Sequence, residues 1–371
     1  VDRLEGMIFD NFKDKKVLVT GHTGFKGSWL ALWLKEFGAE VYGYSLPPDT
    51  VPSHYEKAKI REILEGECLG DIREKEKFAS YIHDVQPDCI FHLAAQSLVR
   101  RSYLEPVETF DVNVMGSIHL MEAVRALGKP CSIVMITSDK CYLNVNQVWG
   151  YRECDKLGGH DPYSASKAAA EIAIASFRDS FFSSDKISNH GVSLASARAG
   201  NVIGGGDWAE DRIIPDAVRA VTSEKPLEIR SPQAVRPWQH VLEPLSGYML
   251  IAAKMMMVSS ESPVPLAGAW NFGPLPTGSA TVLDIINGFY NAWGKGEANY
   301  DPSLANLHEA AILRLSCEKA ISGLGWKPVW DLEDTLKITA EWYRNYYDGE
   351  DARELSLADI KQYMKKMVKY E

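Results

Sequence analysis

Tyr163 and Lys167 stand four residues apart in Tyr163-Ser164-Ala165-Ser166-Lys167, so a helix there projects both side chains from one face. An ammonium beside a phenol favours the phenolate, and the tyrosine is expected to fall from about 10 toward neutrality, a base for a sugar or alcohol hydroxyl. Taken alone, such a pair is common in helical proteins. A second group, Thr137-Ser138-Asp139-Lys140, offers a hydroxyl, a carboxyl and an amine, able to act as hydrogen-bond donor, general acid and general base. In a plain polar loop Asp139 would only cap a helix. Arg198, Arg212, Arg230, Arg236 and Arg314 are candidates for a diphosphate clamp, because a planar guanidinium can hold phosphate oxygens in pairs. Arg236 is favoured, then Arg212.

These groups need a frame. Val17 to Leu30 reads as a strand, a turn with Gly21, Gly24 and Gly27 spaced by two residues each, and a helix that continues as amphipathic through Leu30, Leu32, Trp33, Leu34 and Phe37. Gly21 suits the turn, Gly24 lets main chain approach a pyrophosphate, and Gly27 lets the helix pack on its strand. Strands follow at Val41–Ser45, Cys68–Ile72, Cys89–Gln96, Ser132–Thr137 and 191–198, with helices expected at 54–66, 74–85, 113–127 and 163–180. This alternation argues for a doubly wound parallel sheet with ligands at the C-terminal strand ends, which is where Gln96 and Thr137 to Lys140 fall. An acid normally binds the adenosine ribose after the second strand, but Ser45 stands there before Leu46-Pro47-Pro48. Asp71 reads equally as an adenine contact or a cap of the following helix, and both roles can coexist.

Residues 1–16 read as a polar lead-in. Beyond residue 200 the chain is less regular, with helices expected at 282–293 and 331–346. The expected division is a Rossmann-type domain over 1–200, with segments near 239–273 as candidates to rejoin it, and a smaller mixed α/β domain over 201–371. A net charge of -10 disfavours nucleic acid and anionic membrane as partners. Six cysteines without metal-ligand spacing fit reduced thiols, and no metal site is expected. No apolar run of about 20 residues and no leader pattern is evident, so a cytoplasmic protein is expected.

In Gly21-x-x-Gly24-x-x-Gly27, Leu93-Ala94-Ala95, Ser138-Asp139, Tyr163-x-x-x-Lys167 and Leu324-Gly325-Trp326-x-Pro328 the chain resembles the extended short-chain dehydrogenase/reductase family. Thr20 to Trp29, Thr137 to Lys140 and Arg198 to Trp208 are similar to its nucleotide-sugar 4,6-dehydratases of the CDP-sugar subgroup. The resemblance implies NAD as cofactor and CDP-glucose as substrate. It further implies that Tyr163 takes the 4-hydroxyl proton during oxidation at C4, that a base removes the C5 proton while Asp139 protonates the leaving 6-hydroxyl, and that hydride returns to C6. Relatives commonly carry Glu after the Asp. Here it is Lys140, either a base of lowered pKa or a charged stabiliser of the enolate.

Cofactor contacts implied by the family are Gly21, Thr23, Gly24, Phe25, Lys26, Gly27, Ser45, Asp71, Ile72, Leu93, Ala94, Ala95, Tyr163, Lys167 and the Arg198 loop. Substrate contacts are Gln96, Asn201, Trp208, Arg212, Arg236 and His240. Pairing through the helices at 113–127 and 163–180 implies a homodimer or tetramer. Two rivals are a nucleotide-sugar 4-epimerase, which has no use for an acid at the 6-hydroxyl, and a non-catalytic dinucleotide sensor.

Overall fold

In the computed structural model, residues 8–257, 266–275, 280–300 and 312–367 are described. Seven strands form one parallel sheet: β1 (Lys16–Thr20), β2 (Glu40–Ser45), β3 (Gly66–Leu69), β4 (Cys89–His92), β5 (Cys131–Ile136), β6 (Val192–Ala199) and β7 (Ala269–Phe272), in the order β7-β6-β5-β4-β1-β2-β3. β1 pairs with both β2 and β4, Val17 lying opposite Val41 on one side and Cys89 on the other. The strand order reverses there, which opens a crevice at the carboxyl ends of β1 and β4. This is a Rossmann-type sheet, with helices covering both faces.

On one face pack α2 (Lys75–Val85), α3 (Gly116–Leu127) and α4 (Pro162–Phe181), burying Phe78, Leu120, Met121 and Ile174 with Ile90 and Ile133 of the sheet. The other face carries α1 (Phe25–Glu36) and α6 (Leu242–Met256). Between them in sequence lies α5 (Ile213–Thr222), and beyond β7 come α7 (Val282–Trp293), α8 (Leu332–Tyr347) and α9 (Ala352–Met367). Short strand pairs tie this later chain together: Val202–Ile203 runs parallel to Gln239–His240, Leu227–Ile229 parallel to Ala298–Tyr300, and Val235–Arg236 antiparallel to Ala280–Thr281.

Several expectations change. α1 is buried on every side from Gly27 to Leu34, not amphipathic, because α9 and α6 cover the face it turns from the sheet. The lead-in is not simply polar: Phe9 and Phe12 are buried against Trp33, Phe37 and Phe91 in a short 3-10 turn over Ile8–Phe12, and residues 1–7 lie outside the described residues. Helix over 54–66 is confined to His54–Lys57 and a 3-10 turn at Ile60–Ile63, because Lys59 turns left-handed at φ 52° between them. The strand expected at Cys68–Ile72 is displaced to Gly66–Leu69, and α3 is entered through a π-turn at Asp111–Met115.

Candidate active site

A cavity of about 1300 Å³ runs along the carboxyl ends of β1, β2, β4 and β5. Its floor is the glycine turn. Gly21 has φ 74°, and a Cβ there would meet Ala94 N at 2.7 Å; a Cβ on Gly27 would lie 2.1 Å from Gly21 O. The backbone is therefore packed as tightly as main chain allows, and only glycine fits. Gly24 is the N-cap of α1 and offers no side-chain hydrogen bond, so the first-turn amides of Phe25, Lys26 and Gly27 are left to the cavity that these residues line. Open amides at a helix N-terminus fit the diphosphate of a dinucleotide. The β4 exit is held beside this turn: Ala94 N donates to Thr20 Oγ1 at 3.2 Å, and Thr20 Oγ1 lies 2.8 Å from His92 Nδ1.

Tyr163, Lys167, Ser138, Asp139 and Lys140 all line the same cavity, brought together by the N-terminal turns of α4 and the exit of β5. Asp161 caps α4, accepting from Ser164 N at 2.9 Å, with Pro162 at the first helical position. Asn113, in the π-turn, donates to Gln96 O at 3.0 Å and to Ser166 Oγ at 2.9 Å, fixing the β4 exit to α4. Asp139 is 1% exposed; Oδ1 accepts from Ser138 Oγ at 3.0 Å, while Oδ2 has no hydrogen-bond partner among the described residues. Gly200 gives it room, since a Cβ there would come within 3.1 Å of Oδ2.

The electrostatics depart from the simple tyrosine–lysine picture. Burial pushes the Tyr163 phenol up to about 12, a hydrogen bond with Ser138 works against that, and the Asp139 charge adds to it. Lys167 is not among the largest influences on the phenol. Burial lowers Lys167 to about 8, with the Glu171 carboxylate opposing the fall. In the protein alone, desolvation outweighs the expected pull toward neutrality. Lys26 neither points to solvent nor stays local: its amine reaches Tyr248 OH at 3.5 Å, and burial with Arg212, Lys167 and Lys140 nearby lowers it to about 7, against the Asp139 charge. Sequence reasoning placed Lys26 among the cofactor contacts and missed this neighbourhood.

Thr23, Ser45, Asp71, Ile72, Leu93, Ala94 and Ala95 also line the cavity, but the polar ones among them are engaged. Thr23 Oγ1 donates to Leu46 O at 2.8 Å, so the 2.8 Å contact with Ser45 Oγ is donated by Ser45. Asp71 Oδ1 accepts from Arg73 N at 2.9 Å and from Arg73 Nε at 3.1 Å, and Oδ2 from Arg73 Nη2 at 2.6 Å. Asp71 does not cap the following helix, whose N-cap is Glu74; it closes the turn before it.

Two expected contacts leave the site. Arg198 is not in the cavity wall; it is buried and donates to Glu171 Oε2 at 2.7 Å and to Tyr142 OH at 2.8 Å. His240 is fully buried behind the wall, edge-on to Trp29 and Trp330, and burial lowers it to about 3, so it is a neutral packing residue. Gln96 reaches the wall, but its amide donates to Leu98 O at 3.1 Å and Thr109 Oγ1 at 2.9 Å and accepts from Leu98 N at 2.6 Å. Asn201, Trp208, Arg212 and Arg236 line the cavity, as does Arg230. Arg212 is held by Asp207 at 3.0 Å, and Trp208 packs against Trp342, Tyr343 and Tyr346 with its indole N–H unpartnered among the described residues. Arg314 turns away to Val148 O. Glu171 went unnoticed in the sequence, although its position four residues after Lys167 places it on the same helix face. No cluster of His, Cys, Asp or Glu suited to a metal occurs among the described residues.

Residues 18–339 match the GDP-mannose 4,6 dehydratase family. A CDP-glucose 4,6-dehydratase of Salmonella typhimurium is 47% identical over 359 residues, covering 96% of this chain and 99% of the relative. A CDP-paratose 2-epimerase of Salmonella typhi is 24% identical over 88% of this chain and 98% of its own length. Among solved structures, a dTDP-glucose 4,6-dehydratase of Bacillus anthracis in complex with NAD superimposes with a TM-score of 0.74 at 20% identity, covering 90% of this chain and 98% of that one. A UDP-glucose 4-epimerase of Stenotrophomonas maltophila with bound NAD gives 0.75 at 22% identity, covering 91% of this chain and 100% of that one.

Proposed function

Because the chain belongs to the GDP-mannose 4,6 dehydratase family, we propose that it converts CDP-glucose to CDP-4-keto-6-deoxyglucose and water, an NAD-dependent hydro-lyase serving deoxysugar synthesis. The observation that carries this reading is the open oxygen of Asp139 in the same cavity wall as Tyr163 and Lys167. A 4-epimerase moves hydride at C4 only and needs no acid for a leaving hydroxyl. A dinucleotide sensor needs none of the three.

NAD fits the uncapped turn of α1, and when bound it supplies the acceptor that takes hydride from C4 and gives it back to C6. The chain's own groups handle the protons. Tyr163, in contact with Ser138, accepts the 4-hydroxyl proton once its own has left, a loss that a bound nicotinamide cation would favour against burial; the 4-keto group then acidifies C5–H, and Asp139 in its protonated form gives its proton to the departing 6-hydroxyl. The C5 proton goes to an amine of the cluster, with Lys140 at the β5 exit the first candidate. Arg212, Arg230 and Arg236 are suited to the diphosphate, and Asn201 and Trp208 to the remainder of the nucleotide sugar.

Leu104, Val107 and Ile172 are exposed apolar residues on the α4 side of the molecule, which supports pairing of two copies through this surface. Six thiols free of disulfides suit a cytoplasmic setting. No helix among the described residues is long and apolar enough to cross a membrane. Incubation of the purified protein with NAD and CDP-glucose, followed by the alkaline ultraviolet absorbance of a 4-keto sugar, tests the reading, with UDP- and dTDP-glucose as competitors for the base preference. An unchanged spectrum together with a galacto-configured product would defeat it.

A further inference from the structure

Tyr163, Lys167 and Glu171 repeat at four-residue spacing along α4, so the face that presents the first two to the cavity continues into the wall behind it. Glu171 is 3% exposed and does not line the cavity. Its carboxylate accepts from Thr137 Oγ1 at 2.5 Å, from Ser196 Oγ at 2.8 Å and from Arg198 Nη2 at 2.7 Å. Arg198 also donates to Tyr142 OH, which donates to Asn271 Oδ1 at 2.7 Å, so the network joins the ends of β5, β6 and β7. A buried carboxylate with three donors from two other strands cannot swing away. Besides Arg198 and the Cys141 thiol, its charge acts on the amine one helical turn before it.

We propose that Glu171 is a positioning residue for Lys167, a fixed negative charge behind the active-site wall that keeps this amine an ammonium. The proposal rests on the reading of Tyr163 and Lys167 as part of the reacting centre. The need for such a charge comes from the burial of Lys167 at the cavity wall. Lys26 from the glycine turn, Lys140 from the β5 exit and Arg212 from the later chain all bring positive charge to the cavity, and Asp139 opposes them. Cys141 and Glu171 approach from behind; His92, from β4, is held neutral by burial, and Tyr163 precedes it on the helix. Burial drives the Lys167 amine toward its neutral form, and Glu171 is the largest of the groups that oppose this. Arg198 thereby acquires a role other than the cofactor contact: it moderates the Glu171 charge.

The two partners then have opposite signs of effect, which structural damage would not produce. Glu171→Gln should move the alkaline limb of the pH dependence of kcat/KM for CDP-glucose downward by about one pH unit, roughly a tenfold loss above the new limb. Arg198→Met, which leaves the carboxylate uncompensated, should move it upward, and Glu171→Asp should restore it part of the way. Competitive acetylation of Lys167 across pH, read by mass spectrometry, reports the same ionisation without turnover. It also separates the two failures. A wild-type protein inactive on CDP-glucose would count against the proposed activity, while limbs and labelling curves that stay together in all variants, or move in one direction, would overturn the role of Glu171. If Glu171→Gln does not fold, the upward shift in Arg198→Met decides.

Discussion

At one end of the cavity Asp139 keeps an oxygen without a hydrogen-bond partner among the described residues, whereas at the other end both oxygens of Asp71 are taken by Arg73 and the Ser45 hydroxyl is given to Thr23. Both ends lie at carboxyl termini of strands in one sheet. An unpaired buried polar atom carries a desolvation cost of about 1–3 kcal/mol, which a protein retains where a ligand or reacting group will meet it. Satisfied groups carry no such cost and confer little ligand affinity. On the proposed reading the β5 end is built for chemistry and the β2–β3 end to stay closed, which leaves cofactor retention to the backbone of the glycine turn.

If that contrast holds, Tyr163→Phe should have the largest effect. Removing the hydroxyl is expected to lower kcat by about 10²–10⁴. Circular dichroism and the melting temperature should be nearly unchanged, because the phenol oxygen contributes one contact with Ser138. Retained turnover would show that the β5 end is not the reacting end. Asp139→Asn keeps the shape and removes the acid. Dehydration should fall by about 10²-fold or more, with oxidation at C4 less affected, so reduced cofactor should accumulate in single-turnover absorbance.

Gly27→Ala tests the other half of the contrast. A Cβ placed 2.1 Å from Gly21 O forces main chain, not a flexible side chain, to move. A stability loss of about 2–3 kcal/mol in urea titration and at least tenfold weaker NAD binding by calorimetry are expected. Binding unchanged in a folded variant would mean that side chains, and not the turn, hold the cofactor.

The same division explains what was legible in the sequence. The glycine turn, the sheet and the grouping of Tyr163 with Asp139 follow from spacing over a few residues and from alternation of elements, both local signals. The fates of Arg198, His240 and Ser45 depended on Glu171, Trp330 and Thr23, partners chosen by packing, whereas Asp71 was taken by Arg73 only two residues on. Arg198 faces away from the cavity because Glu171, 27 residues earlier, offers it a buried carboxylate. His240 lies in an aromatic wall made by Trp29 and Trp330, at distant points of the chain. The full burial of α1 likewise needed α9, more than 300 residues later. Acidity of Tyr163 was read from one neighbour, while burial, which no short window reveals, outweighs it.

The reacting end also makes a prediction about pH in which activity and stability separate. Lys167 titrates near about 8 and Lys26 near about 7, against an ordinary 10.5. From about 8 up to 10 the unfolded chain therefore holds more protons on these amines than the folded one, so their contribution makes stability rise with pH. Above 10 the buried phenol of Tyr163 reverses the sign, since its folded value is about 12. Activity that needs the Lys167 ammonium should meanwhile fall about tenfold per unit once pH exceeds 8. Urea midpoints and kcat/KM measured across this window check both slopes, and a parallel decline would show that the amines are not desolvated as the structure has them.

The smallest effect is expected where the closed end is opened. Arg73→Met removes the guanidinium from both oxygens of Asp71 while keeping an apolar stem of similar length. The pair is partly exposed, with the Arg73 side chain at 33%, so its loss should cost no more than about 1 kcal/mol of stability. The freed carboxylate can then accept from a ribose hydroxyl or an adenine amine. NAD affinity by calorimetry should accordingly rise, by about threefold, with kcat unchanged because the reacting groups lie at the other end. A fall in affinity would mean that Arg73 itself holds the dinucleotide, and the closed end would have to be read as a binding end whose ligand is a phosphate or a ring face.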